Sequence, residues 1–180
     1  GIPFDPQQAR AMLAETTYGS GDGLPPLEYT TFRSIFDAVL IAILEMWQEN
    51  LGVEVSINPI SQGYFDFIEE QRGNIFDYGW VADYADPQNF LDVLFHSEAT
   101  NNVGGYRNVG VDALLEEART EPDPVRRLEL YQQAEELLVE DVAAIPLRHD
   151  KSYIVVKPYV KGWFVSAQGN PDFLTVRLER

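Results

Sequence analysis

Apolar residues recur at helical spacing in several stretches of the chain. Phe36, Val39, Leu40, Ile43, Leu44 and Trp47 form one face of a long helix that Gly52 should stop. Val111, Leu114, Leu115 and Ala118 predict a shorter helix. Three Asp-Pro pairs each open a further helical pattern. Asp5-Pro6 precedes Ala9, Met12 and Leu13; Asp86-Pro87 precedes Phe90, Leu91, Leu94 and Phe95; Asp123-Pro124 precedes Leu128, Tyr131, Ala134, Leu137 and Leu138. In each pair the carboxylate can accept from the free amides of the first turn, and proline fills a position that needs no amide hydrogen. Ser34 with Asp37 has the spacing of a capping box.

Strand patterns alternate with these helices. Residues 27–32 follow a Pro-Pro turn, and Val53, Val55 and Ile57 alternate with polar neighbours. Residues 75–81, 153–156 and 174–178 complete the set. The first half therefore reads helix, strand, helix, strand, helix, strand, which predicts an α/β layer with parallel neighbours. The second half is helix-rich and then returns to strands, so the expected sheet is mixed and flanked by helices. We expect residues 1–180 to form a single α/β lobe, with joints at residues 19–23 and 121–124.

Composition narrows the function classes. An apolar content of 45% over 180 residues suits a packed domain. The net charge of −16 would repel phosphate backbones and works against nucleic-acid binding. Cysteine is absent, which excludes thiol catalysis and cysteine-ligated metals. The most apolar run, residues 38–44, is too short to span a membrane. The opening GIPFDPQQ carries no signal peptide and reads as the middle of a longer chain.

Catalytic motifs find little support. The glycines at 19–23 and 104–105 fit neither a dinucleotide fingerprint nor a phosphate loop. His96 and His149 lack metal-ligand spacing and are expected to be surface or capping residues. No serine sits in a G-x-S-x-G context. We therefore expect no enzyme, no metal and no cofactor.

The stretch GWVADYADP at residues 79–87 is different, because it places Asp83 and Asp86 just beyond a predicted strand. Asp86 is accounted for as a helix cap. Asp83 leaves two readings open. It could be a turn residue that bonds its own backbone. Alternatively it is a carboxylate at a strand exit, where ligands meet α/β sheets, with Trp80 offering an aromatic face to a cation.

Several segments together, in order, resemble one family. They are FDPQQARAMLAE, LPPLEYTT, MWQENLGVEVSINPI, GWVADYADPQNFLDVLFHS, NNVGGYRNVGVDALLEEAR, RRLELYQQAEELLVEDVAAIPL and VKPYVKGW. They resemble the C-terminal lobe of extracellular solute-binding proteins of family 5, the oligopeptide and dipeptide type that serves ABC transporters. The resemblance implies a type II periplasmic-binding-protein lobe that is part of a larger two-lobed protein. Such a protein binds a small solute, here a peptide, between this lobe and an N-terminal one, and delivers it to permease subunits in the membrane. It works in the periplasm or on the outer face of a bacterial membrane, with or without a lipid anchor.

The resemblance also assigns residues. Asp83 would pair with the α-ammonium of a peptide and Trp80 would line the pocket; Tyr78, in the segment before the motif, is a further candidate contact that the motif does not assign. The run Gly73-Asn74-Ile75 is shorter than the family's usual G-x-F-D stretch. Members that take sugars or metal chelates carry a similar GW-x-x-D motif, so another solute is the alternative. A carboxylate-dependent hydrolase using Asp83 is a more distant one.

Overall fold

A computed structural model of the chain describes residues 3–32, 37–70, 74–147, 151, 153–166 and 169–179. They fall into two compact units, Gly1–Gly79 and Trp80–Arg180.

In the first unit, Asp5 accepts hydrogen bonds from the amides of Gln7 and Gln8 at 3.1 and 2.9 Å and starts α1 (Pro6–Glu15). After β1 (Leu27–Thr31), Asp37 accepts from Val39 and Leu40 and starts α2 (Ala38–Leu51). Ser34 and Phe36, expected to take part in that cap and face, lie outside the described residues, as do Gly73 and His149. Helix α2 ends at Gly52, whose left-handed backbone (φ 66°, ψ 22°) returns its amide to the Gln48 carbonyl at 3.0 Å. Only glycine enters that conformation without a Cβ penalty.

Strand β2 (Val55–Pro59) then lies parallel to β1, from Leu27 opposite Val55 to Thr31 opposite Pro59. Helix α3 (Tyr64–Glu70) leads to β3 (Ile75–Phe76), which is parallel to β1 on its other side. The order β2-β1-β3 makes β1 the central strand, and Tyr29, Thr30 and Thr31 are all buried there. A parallel strand covered on both faces loses the alternation of a half-wet strand.

The third strand is much shorter than residues 75–81, and Asp77 supplies the reason. Its amide still donates to the Thr30 carbonyl at 3.2 Å, but its carboxylate accepts the hydroxyls of Tyr29 and Thr31. Its carbonyl accepts the Tyr64 hydroxyl. Burial, reinforced by the Asp77 charge, pushes the Tyr64 phenol far above its ordinary value, so it remains a donor. The chain leaves the sheet where these side chains replace the ladder.

The second unit contains α4 (Gln88–Phe95), α5 (Val109–Thr120) and α6 (Pro124–Glu140). Asn108 caps α5, and Asp123 caps α6 by accepting from Val125 and Arg126, with Pro124 in the first turn. Val111, Leu115 and Ala118 of α5 meet Leu130, Tyr131, Ala134 and Leu138 of α6 in the core, with Leu91 and Phe95 packed against them. Each fully buried leucine stabilises by about 1.5–3 kcal/mol. The predicted α6 stripe is mostly right, but Leu128 is 55% exposed and Leu130 takes its place inside.

Two antiparallel pairs follow: β4 (Val160–Lys161) with β7 (Arg177–Leu178), and β5 (Phe164–Val165) with β6 (Pro171–Asp172). The chain thus combines helices with both parallel and antiparallel strand pairs. Residues 153–156 are not a strand; their side chains are exposed, and among the described residues no neighbour pairs with them. Among the described residues no helix is long and apolar enough to cross a membrane.

Candidate functional site

Tyr78 lies one residue before the end of the first unit. Its ring meets Phe65 edge-on at 6.1 Å, and Phe65 in turn meets Tyr64 at 5.6 Å. Burial, followed by the Glu69 charge, raises the Tyr78 phenol above its ordinary value.

The second unit begins with residues 80–87, which form neither helix nor strand. Their anchor is Asn89 in the first turn of α4, only 2% exposed. Its Oδ1 accepts the Trp80 indole N–H at 2.9 Å and the Asp83 backbone N–H at 3.1 Å. One amide oxygen has two lone pairs and can satisfy both donors. Asp83 itself is exposed, and among the described residues its carboxylate makes neither a hydrogen bond nor an ion pair. The arrangement therefore presents an anion to solvent from a turn whose backbone and neighbouring indole are fixed to the same atom. Such a group suits an ammonium or guanidinium guest.

Asp86 faces a different task. Its Oδ1 accepts the Gln88 amide at 2.9 Å, but the N-cap of α4 is Pro87 and not the Asp86 that the Asp-Pro pattern predicts; Arg127 grips both Asp86 oxygens at 2.7 and 2.9 Å. The same guanidinium lies 4.9 Å above the Tyr131 ring and donates to the Ala118 carbonyl at 3.1 Å. Arg127 holds the Asp86 carboxyl below the ordinary carboxylate range; burial opposes this and the Gln88 amide supports it. A carboxyl depressed in the folded state contributes stability that is complete above its unfolded pKa and is lost as pH falls through the folded value. The gap in stability between wild type and Arg127→Met should therefore narrow below about pH 4, where carboxylates begin to protonate. Urea unfolding at a series of pH values reads this directly, and a gap unchanged between neutrality and acid would rule the pair out as a source of stability.

Helix α4 buries polar side chains beside the apolar Leu91 and Phe95 that pack on the core. Asn89, Asp92 and His96 are all buried, whereas Phe90 is 43% exposed. Asp92 takes both Arg119 donors at 2.6 Å. His96 does occupy the capping position of α4 but is not on the surface; it is 6% exposed. Its Nδ1 accepts the Glu98 amide at 3.2 Å, and its Nε2 lies 3.4 Å from Glu116. A shallow polar depression there includes Arg107 and Asp112 but neither Trp80 nor Asp83.

Sequence reasoning named Trp80, Asp83 and Tyr78 and missed Asn89. A signal was present: Asn89, Asp92 and His96 recur at helical spacing, and a polar stripe on a short helix can be the inward one. The apolar stripe drew the prediction instead.

Comparison with known proteins places the chain in a family. The family model described as bacterial extracellular solute-binding proteins, family 5 Middle, matches residues 1–102. The periplasmic oligopeptide-binding protein OppA of Salmonella typhimurium is 31% identical over 161 residues, which cover 87% of this chain and 29% of OppA. The probable deoxycholate-binding periplasmic protein YgiS of Escherichia coli is 30% identical over 161 residues, covering 86% of this chain and 29% of YgiS. Among solved structures, the periplasmic binding protein DppA from Helicobacter pylori in complex with peptide STSA superimposes with a TM-score of 0.79. It is 27% identical, over 98% of this chain and 35% of DppA. The chain thus spans less than a third of the length of these curated relatives, and its fold is that of periplasmic binding proteins. This chain belongs to the bacterial extracellular solute-binding proteins of family 5.

Proposed function

We propose that the chain is a single lobe of a two-lobed solute-binding protein that serves an ABC importer, and that the solute is a peptide. The ligand lies between this lobe and an N-terminal lobe supplied by the rest of the parent protein. Permease subunits in the membrane receive it from the periplasm or the outer face. Asp83 meets the peptide α-ammonium, Trp80 lines the pocket, and Tyr78 is a third contact. The protein binds and releases its solute without chemical change.

The observation that carries this reading is the exposed Asp83 carboxylate beside an indole that Asn89 anchors. The family and the peptide-binding names of OppA and DppA support it. A second reading, an apolar anionic solute, draws on the likeness to YgiS, which is named for deoxycholate binding. Calorimetry on the intact parent decides between them, using a tripeptide, its Nα-acetylated form and deoxycholate. The tripeptide should bind most tightly. Heat from deoxycholate with none from either peptide would replace the first reading by the second.

A further inference from the structure

We infer that Asn89 is the positioning residue of the ligand site, a single buried oxygen that sets the spacing between the Trp80 indole and Asp83. Its two donors stand at either end of residues 80–83, a stretch with no helix or strand of its own to hold it. A buried amide without partners would be costly, and the two hydrogen bonds account for an asparagine here in place of an apolar residue. Asn89 is itself held from the core. Its backbone N–H donates to the Asp86 carbonyl at 3.1 Å, Arg127 of α6 grips Asp86, and Arg119 of α5 grips Asp92 one turn further along α4. Order therefore passes from the α5–α6 pair, through α4, to two groups offered to a ligand. A carboxylate and an aromatic face already held in place lose less freedom on binding than mobile ones.

The inference deepens the proposed function and rests on it only for its effect on ligand. Hydrogen exchange in the ¹⁵N-labelled chain tests the positioning alone. The Trp80 indole resonance is identified by replacing Trp47 and Trp163 with Phe. Asn89→Leu keeps the side-chain size and removes the acceptor. It should speed exchange at the Trp80 indole and the Asp83 amide by about five- to tenfold relative to α5 and α6 amides, the factor one ordinary hydrogen bond carries. Asn89→Asp keeps an acceptor oxygen and should leave both within about twofold of wild type. Exchange in Asn89→Leu that rises no more at these two sites than elsewhere overturns the proposal. The wild type gives a check that needs no variant, because a Trp80 indole proton exchanging at the rate of free indole also overturns it. In the intact parent, Asn89→Leu should shrink the preference for a free over an acetylated amino terminus several-fold, with Asn89→Asp restoring it. An undiminished preference overturns the positioning role. Asp83→Asn is the separate control: if it is indifferent to acetylation, the amine reading falls, while the exchange data still judge Asn89.

Discussion

Asp83→Asn in the intact parent is expected to weaken peptides with a free amino terminus by about 2–5 kcal/mol, the cost of truncating one member of a buried charge pair. Acetylated peptides should lose far less. The magnitude depends on closure. On an open surface an ammonium–carboxylate pair is worth only about 0–1 kcal/mol, because water screens it and two side chains must be ordered. Enclosure between two lobes removes that screening, and the lost carboxylate then leaves an ammonium with no anion. The substitution should cost the fold little, within about 0.5 kcal/mol, since the Asp83 side chain is exposed and its backbone N–H, not its carboxylate, bonds Asn89. Calorimetry with matched free and acetylated tripeptides separates the two contributions. Equal losses for both would remove Asp83 from amine recognition.

The helices were the most legible part of the chain, because their causes are local. Asp5-Pro6, Asp86-Pro87 and Asp123-Pro124 each put a carboxylate where it accepts from amides two or three residues on. Gly52 ended α2 for a reason confined to one residue's φ. The parallel pairing of β1 with β2 followed from the helix between them. What escaped the sequence was decided by partners far along the chain. Strand β3 stops early because Tyr29 and Thr31, nearly fifty residues before, claim the Asp77 carboxylate. Asp86 was expected to cap α4, yet the cap position falls on Pro87 and the strong partner of Asp86 is Arg127, 41 positions away. Residues 153–156 have strand composition but no strand beside them among the described residues, and pairing cannot be read from one strand alone. In the proposed site, Trp80 and Asp83 came from residue chemistry and a family motif. Asn89 did not, because period arguments credit apolar stripes and pass over buried polar ones.

The second large effect concerns the same helix from beneath. Arg119→Ala is expected to destabilise the second unit by about 2–4 kcal/mol, somewhat less than for a fully enclosed pair because the guanidinium is 43% exposed. The burden falls on Asp92, whose side chain is only 5% exposed and whose two oxygens would each lose a partner at 2.6 Å. Among the described residues only the long Gln88 Nε2 bond to Asp92 at 3.4 Å would remain, too little to offset the desolvation of a buried carboxylate. Replacing both partners with apolar residues, as in Asp92→Leu with Arg119→Met, should therefore recover most of the loss. Urea unfolding followed by amide exchange in α5 and α6 measures the second unit separately from the first. A loss under about 0.5 kcal/mol for Arg119→Ala, the range of an ordinary surface substitution, would mean that water solvates Asp92 as well as arginine does. If the loss is as large as expected, its origin also bears on the site. The pair fixes α4 one turn beyond Asn89, so Arg119→Ala should loosen the Trp80 indole as well, whereas an equally destabilising core truncation at Leu138 of α6, which removes no partner of the α4 polar groups, should not.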